Sequence, residues 1–153
     1  MFVQDFKTID CRYEEVAARL VADIEVVLET ALDAARDAGE HLRGKVGPAS
    51  WPTALAKTVE VRPGPVREKV DRLLVAFSWK ATGGASLFPR LDADLEAAPF
   101  GPEQTVVTLR GRYEPPAGSL GRIADQLLFH RLAESTVRDF LDGVCANLSQ
   151  VRK

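Results

Sequence analysis

Between positions 55 and 113 the chain adopts a two-residue rhythm, and the links between successive alternating runs are only a few residues long. Strands joined by such short links can pair only antiparallel, because a parallel crossover needs a dozen or more residues. Leu55, Lys57, Val59 and Val61 alternate with Ala56, Thr58, Glu60 and Arg62. Pro63-Gly64-Pro65 then reads as a turn. Val66 to Lys80 reads as one long strand with Leu73, Val75, Phe77 and Trp79 on a shared face. Thr82-Gly83-Gly84 supplies the next turn. Leu87, Leu91 and Leu95 alternate with Arg90, Asp92, Asp94 and Glu96, and Pro89 marks an edge or a bulge. After a turn at Pro99 to Pro102, Thr105 to Tyr113 sets Val107, Leu109 and Tyr113 against Thr108, Arg110 and Arg112. The pattern predicts an antiparallel meander with one apolar face.

Helical text brackets this meander. Phe2 to Ile9 alternates as a first strand. Asp10 is placed to cap a helix, with Glu14 and Glu15 suited to its first turns. From Arg12 to Leu42, Val16, Leu20, Ile24, Val27, Leu28, Ala31, Leu32, Ala35 and Ala38 keep a 3.6-residue period. A run of roughly 31 residues is long for one globular helix, which predicts a break near Val21–Asp23. Gly39 and Gly44 are stop signals, and Gly44 to Pro52 reads as a loop holding Trp51. Near the other end, Pro115-Pro116-Ala117-Gly118 closes the sheet and Ser119 caps a helix running to Ser149, ~45 Å long. Ala133, Val137, Phe140, Leu141, Val144 and Leu148 form one stripe of it. Its first half differs: Leu120, Ile123, Leu127, Leu128, Phe129 and Leu132 are apolar nearly all round. Either two faces are covered there or one is left for a partner.

The 153 residues are read as a single domain, 1–153. Twenty basic against 22 acidic side chains, net −2, argue against a dedicated nucleic-acid binder. Cys11 and Cys145 form no CxxC, and His41 and His130 lie far apart, so no zinc spacing exists and no metal or cofactor is implied. The two cysteines read as reduced, buried small hydrophobes. No stretch approaches the ~20 apolar residues of a membrane span. The opening residues lack a signal-peptide pattern, so the expected location is the cytoplasm.

The order strand, long helical region, four-strand meander and long terminal helix fits few architectures. The passage Gly111-Arg112-Tyr113-Glu114-Pro115-Pro116-Ala117-Gly118-Ser119-Leu120-Gly121-Arg122, running into Leu127-Leu128-Phe129-His130-Arg131-Leu132-Ala133-Glu134-Ser135-Thr136-Val137-Arg138-Asp139-Phe140-Leu141, resembles the C-terminal part of the START-like (SRPBCC) superfamily, which includes polyketide cyclase-like and pollen-allergen-like proteins. The resemblance implies an α+β helix-grip fold: a curved antiparallel sheet wrapped around the long C-terminal helix, with one or two helices between the first and second strands. The first helical region here is longer than the family's usual pair. The resemblance also implies a cavity between sheet and helix that takes a lipid, sterol, polyketide or similar apolar molecule, and some relatives cyclise or aromatise their ligand. Fold alone does not decide among these.

The cavity wall expected on this basis comprises Val75, Phe77, Trp79, Leu91, Leu109, Tyr113, Leu127, His130 and Val137. Inward aromatics can equally be plain core. His130 falls on the Val137 stripe, and Glu134 one turn later is placed to hold its ring. Imidazole titrates near neutrality, so His130 with Glu134 is the candidate acid/base pair; the alternative is a structural histidine. Arg90, Arg110 and Arg112 point outward in this register, and a one-residue slip would make them anion ligands. Asp92, Asp94 and Glu96 read as an exposed charged face rather than a cation site. Three functions stay open: binding of a small apolar molecule, a homodimer or interaction module using Leu128, Phe129 and Leu132, and a cyclase/aromatase-type enzyme using His130.

Overall fold

Phe2–Ile9 forms the first strand, β1, as its alternation requires, with Val3 and Ile9 buried. The computed structural model describes residues 1–46, 58–82, 90–114 and 123–150; within them, side chains are described except at 38–46, 58, 81, 82, 123–126, 128, 129 and 132. Trp51, Gly83, Gly84, Leu87, Pro89 and the stretch 115–122 with Ser119 lie outside the described residues. The helix α1 follows at Tyr13–Val46, then β2 Thr58–Lys69, β3 Arg72–Thr82, β4 Arg90–Pro99, β5 Thr105–Glu114 and the helix α2 Ile123–Ser149. All five strands make one antiparallel sheet in the order β1-β5-β4-β3-β2.

Three local expectations are overturned. Pro63-Gly64-Pro65 is not a turn: it lies inside β2, where the register to β3 slips between Pro63 and Val66 as a bulge. An edge strand tolerates proline because the missing N–H is not needed by a neighbour. Gly64 fits because a Cβ there would meet the Ala76 carbonyl oxygen at 3.1 Å. The chain instead turns at Val70-Asp71, so Val66 to Lys80 is the end of one strand and most of the next. Asp10 does not cap α1. The Arg12 carbonyl accepts the first helical bonds, from the amides of Glu15 and Val16 at 3.1 Å, and Asp10 accepts from Gln104 Nε2 at 2.6 Å, tying the end of β1 to the β4–β5 turn. Gly39 and Gly44 do not stop α1, which continues through both to Val46.

The break expected near Val21–Asp23 is present as a kink: Asp23 leaves helical geometry (φ −129°, ψ 29°) and its carboxylate pairs with Arg19 at 3.2 Å. The kink lets one chain segment bury Val16 and Leu20 before it and Val27, Leu28, Ala31, Leu32 and Ala35 after it. α1 packs chiefly on α2. The two helices come close at Gly143, where a Cβ would sit 3.0 Å from the Ala31 Cα, so any larger residue there has to push α1 back. The α2 stripe Ala133, Val137, Phe140, Leu141, Val144 and Leu148 is fully inside, as its period predicts. α2 also lies against β1, where Lys7 Nζ meets Asp142 at 2.6 Å. The sheet bends around this layer, and at Gly111 an added Cβ would stand only 2.7 Å from the Ala93 Cβ.

Candidate functional site: the inner wall and its polar end

Alternation along β3, β4 and β5 sends Val75, Phe77, Trp79, Leu91, Leu109 and Tyr113 to the inner face, all buried, with Val137 opposite them on α2. These seven expected wall residues therefore share one side of the sheet. Phe140 reaches in between two of them. Its ring stacks on Phe77 (centroids 5.3 Å apart, 25° between planes) and stands edge-on to Trp79 (4.9 Å, 65°). Such pairs add to plain area burial. Leu127, expected on the wall, is 66% exposed.

At the other end of the wall the chemistry changes. His130 projects from α2 beside Tyr113, with ring centroids 6.1 Å apart and Nδ1 hydrogen-bonded to the Tyr113 hydroxyl. Its Nε2 lies 3.0 Å from Glu134 Oε1, the one-turn pairing that their spacing predicts. The Tyr113 hydroxyl also lies 2.9 Å from the Met1 sulfur. Burial pushes the Tyr113 phenol up to about 12, and the Glu134 charge adds to this. His130 keeps 38% of its side chain exposed and Glu134 53%, so the chain of groups runs from a buried phenol to a solvent-facing carboxylate.

The proton count constrains what this chain can do. Glu134 as carboxylate only accepts, so Nε2 carries a hydrogen. With a neutral ring, Nδ1 is an acceptor and takes the single Tyr113 proton. With a charged ring, Nδ1 donates to the phenol oxygen and Tyr113 turns its proton to the Met1 sulfur. In both states the His130 ring keeps its Nε2 hydrogen and Tyr113 keeps its proton, so the contacts fix the orientation of the imidazole between the phenol and Glu134. Sequence reasoning placed His130 and Glu134 together; Tyr113 and Met1 carried no such signal, since their approach depends on how the sheet meets α2.

The remaining candidates fall elsewhere. Arg90, Arg110 and Arg112 face outward, as do Asp92, Asp94 and Glu96, in the register expected. Glu96 sits between Arg72 (3.3 Å) and Arg110 (3.4 Å), and Asp94 meets Arg67 at 3.5 Å. Around them lies an open groove of about 610 Å³ floored by Ala76 and Ser78. No group of three metal-ligating side chains occurs among the described residues. Cys11 and Cys145 are both buried, and burial lifts the Cys145 thiol to about 12, which leaves it protonated and unreactive. The side chains of Leu128, Phe129 and Leu132 lie outside the described residues. No described helix is long and apolar enough to cross a membrane.

No protein-family model and no curated protein sequence matches the chain significantly. Solved structures do. A conserved protein from Geobacillus kaustophilus is similar over 98% of this chain and 96% of that one, with a TM-score of 0.56 at 12% identity. A START superfamily protein from Mycobacterium smegmatis matches over 98% of both chains at 10% identity and a TM-score of 0.43. The di-domain ARO/CYC protein BexL matches over 99% of this chain but 47% of its own, at 13% identity and a TM-score of 0.47. The chain shares with the Geobacillus protein a fold in which one curved antiparallel sheet packs on a long C-terminal helix, the helix-grip arrangement. At these identities the likeness is one of fold, and it leaves the chemistry to the residues.

Proposed function

We propose that this helix-grip protein binds a small hydrophobic molecule, of lipid, sterol or polyketide-like character, between the inner face of the sheet and α2. The observation that carries the reading is the make-up of the wall: apolar and aromatic side chains along its length, with one hydrogen-bonding station, Tyr113–His130–Glu134, at its end. A largely apolar site with a few placed polar groups is the usual composition of a small-molecule pocket. In this reading His130 and Tyr113 orient the polar end of the ligand. The START-like fold of the structures reported above, which include a START superfamily protein, is in keeping with this use.

The test is native mass spectrometry of the purified protein after exposure to lipid, sterol and polyketide extracts. Retention of an apolar adduct that is lost on Trp79→Asp, with the wild-type spectrum otherwise unchanged, is the expected result. No adduct from any extract would end the proposal. A second reading, an acid/base enzyme of the cyclase/aromatase type, is favoured by one specific observation, the half-exposed His130 held between Tyr113 and Glu134. It requires that His130→Ala abolish turnover of the ligand recovered in the first experiment while binding persists.

A further inference from the structure

The two edges of the sheet are defended unequally. β2, at one end of the strand order, is broken by a bulge, carries Pro63 and Pro65, and shows Arg62, Arg67 and Lys69 to solvent. Prolines, bulges and outward charges are the devices that keep an edge from pairing with another chain. β1, at the opposite end, has none of the first two. Its register to β5 runs unbroken from Phe2↔Arg112 to Ile9↔Thr105, and its outer face carries Phe2 and Phe6, exposed at 63% and 66%. A long, flat, aromatic edge is a ready template for a further strand.

The hydrogen-bond phase shows which groups that edge offers. Met1 and Tyr113 exchange both backbone bonds at 2.9 Å, so odd-numbered residues of β1 face β5 and even-numbered ones face outward. Among the described residues, the open edge therefore presents the N–H and C=O groups of Phe2, Gln4, Phe6 and Thr8. The Phe6 amide shows the need directly: it donates instead to the neighbouring Asp5 carboxylate at 2.9 Å. Open space lies beside this edge, a groove of about 350 Å³ between Lys7–Asp10 and the last turns of α2.

The strand is also complementary to itself. Laid antiparallel about Phe6, a second β1 brings Asp5 opposite Lys7, Gln4 opposite Thr8, Val3 opposite Ile9, and Phe6 opposite its own copy. Opposite charges face each other, apolar inner residues face each other, and the outward N–H and C=O groups of Gln4, Phe6 and Thr8 fall into hydrogen-bonded pairs. We infer that β1 is the interface for a second copy of this chain, which joins the two sheets edge to edge across a two-fold axis at Phe6. Such a contact is isologous, with each half of the strand answering the other. It is independent of ligand binding.

Edge pairing over so few residues is a small interface, so covalent trapping is the appropriate readout. Cα atoms of a hydrogen-bonded antiparallel pair lie ~5.5 Å apart, inside the span that a disulfide bridges. Phe6→Cys is therefore expected to form a covalent dimer with diamide as oxidant. Phe2→Cys is equally exposed but stands roughly 27 Å from its own copy in this register, eight residues at ~3.4 Å each; it should cross-link at least about tenfold more slowly. Adding Asp5→Lys to Phe6→Cys, which sets like charges face to face, is expected to slow trapping, and adding Lys7→Asp as well should restore it. Circular dichroism checks that each variant is folded. Equal rates for Phe6→Cys and Phe2→Cys, or a Phe6→Cys rate indifferent to Asp5→Lys, would overturn the inference.

Discussion

Leu95 and Glu96 are neighbours in sequence and belong to opposite faces of one sheet. Leu95 is buried with the rest of the inner wall, whereas Glu96 lies outside, spanned by Arg72 and Arg110. The inner face is held by volume: Phe77, Trp79 and Phe140 touch ring to ring, and Gly111 is small because Ala93 leaves no room. The outer face is held by charge, in a lattice of cross-strand ion pairs between side chains that remain partly in water. Packing in a dry interior is unforgiving of small changes, and ion pairs in water contribute little each. The same strands thus carry one face that determines stability and one that chiefly determines solubility.

The sharpest way to break this contrast is Phe140→Ala, which empties the ring cluster. A loss of about 3–5 kcal/mol is expected, read by urea denaturation; a loss like that of an outer-face substitution would mean the interior is not packed as described. Gly111→Val comes next, at about 1–3 kcal/mol, because its side chain must push Ala93 and the neighbouring backbone aside. Tyr113→Phe removes one buried hydroxyl and is expected to cost about 1 kcal/mol, with a displaced His130 ring resonance in the NMR spectrum as the sign that the two groups are in contact.

The inner face should also respond to alkali where the outer face does not. Burial raises Cys145 from near 9 and Tyr113 from near 10, each to about 12, so the folded protein holds both protons more tightly than the unfolded chain. Their contribution is complete below pH 9 and fades as pH climbs through 12. A melting temperature that declines over that window, less steeply in Cys145→Ala, is the expected outcome. Smallest of all is Arg110→Ala, which leaves Glu96 with Arg72 and should change stability by less than ~1 kcal/mol, diminishing further in high salt.

Much of this was legible in the residues because burial imposes a period. The alternation of Leu73, Val75, Phe77 and Trp79 and the 3.6-residue stripe from Ala133 to Leu148 each named a buried face directly. The break near Asp23 was legible from length alone. What misled was local punctuation. Proline and glycine at 63–65 signal a turn in isolation, but on an edge strand a proline loses nothing and a glycine admits close approach to Ala76. The real turn, Val70-Asp71, contains neither signal, and Gly39 and Gly44 are carried inside a helix whose earlier turns are already packed. At the candidate site the His130–Glu134 pair followed from helical spacing, since a helix sets its own neighbours. The Tyr113 contact did not, because it depends on the angle at which two distant elements meet.

The glycine crossing of α1 and α2 has a mechanical consequence. At Gly143 and Ala31 the two helices meet with only the Ala31 methyl between their backbones, and this fulcrum sits nearer the C-terminal end of α2. A lever pivoting there travels least at Gly143 and most towards Ile123, the longer arm. The expected sign is a gradient in amide exchange, slowest around Gly143 and quickening towards His130, where the polar station stands.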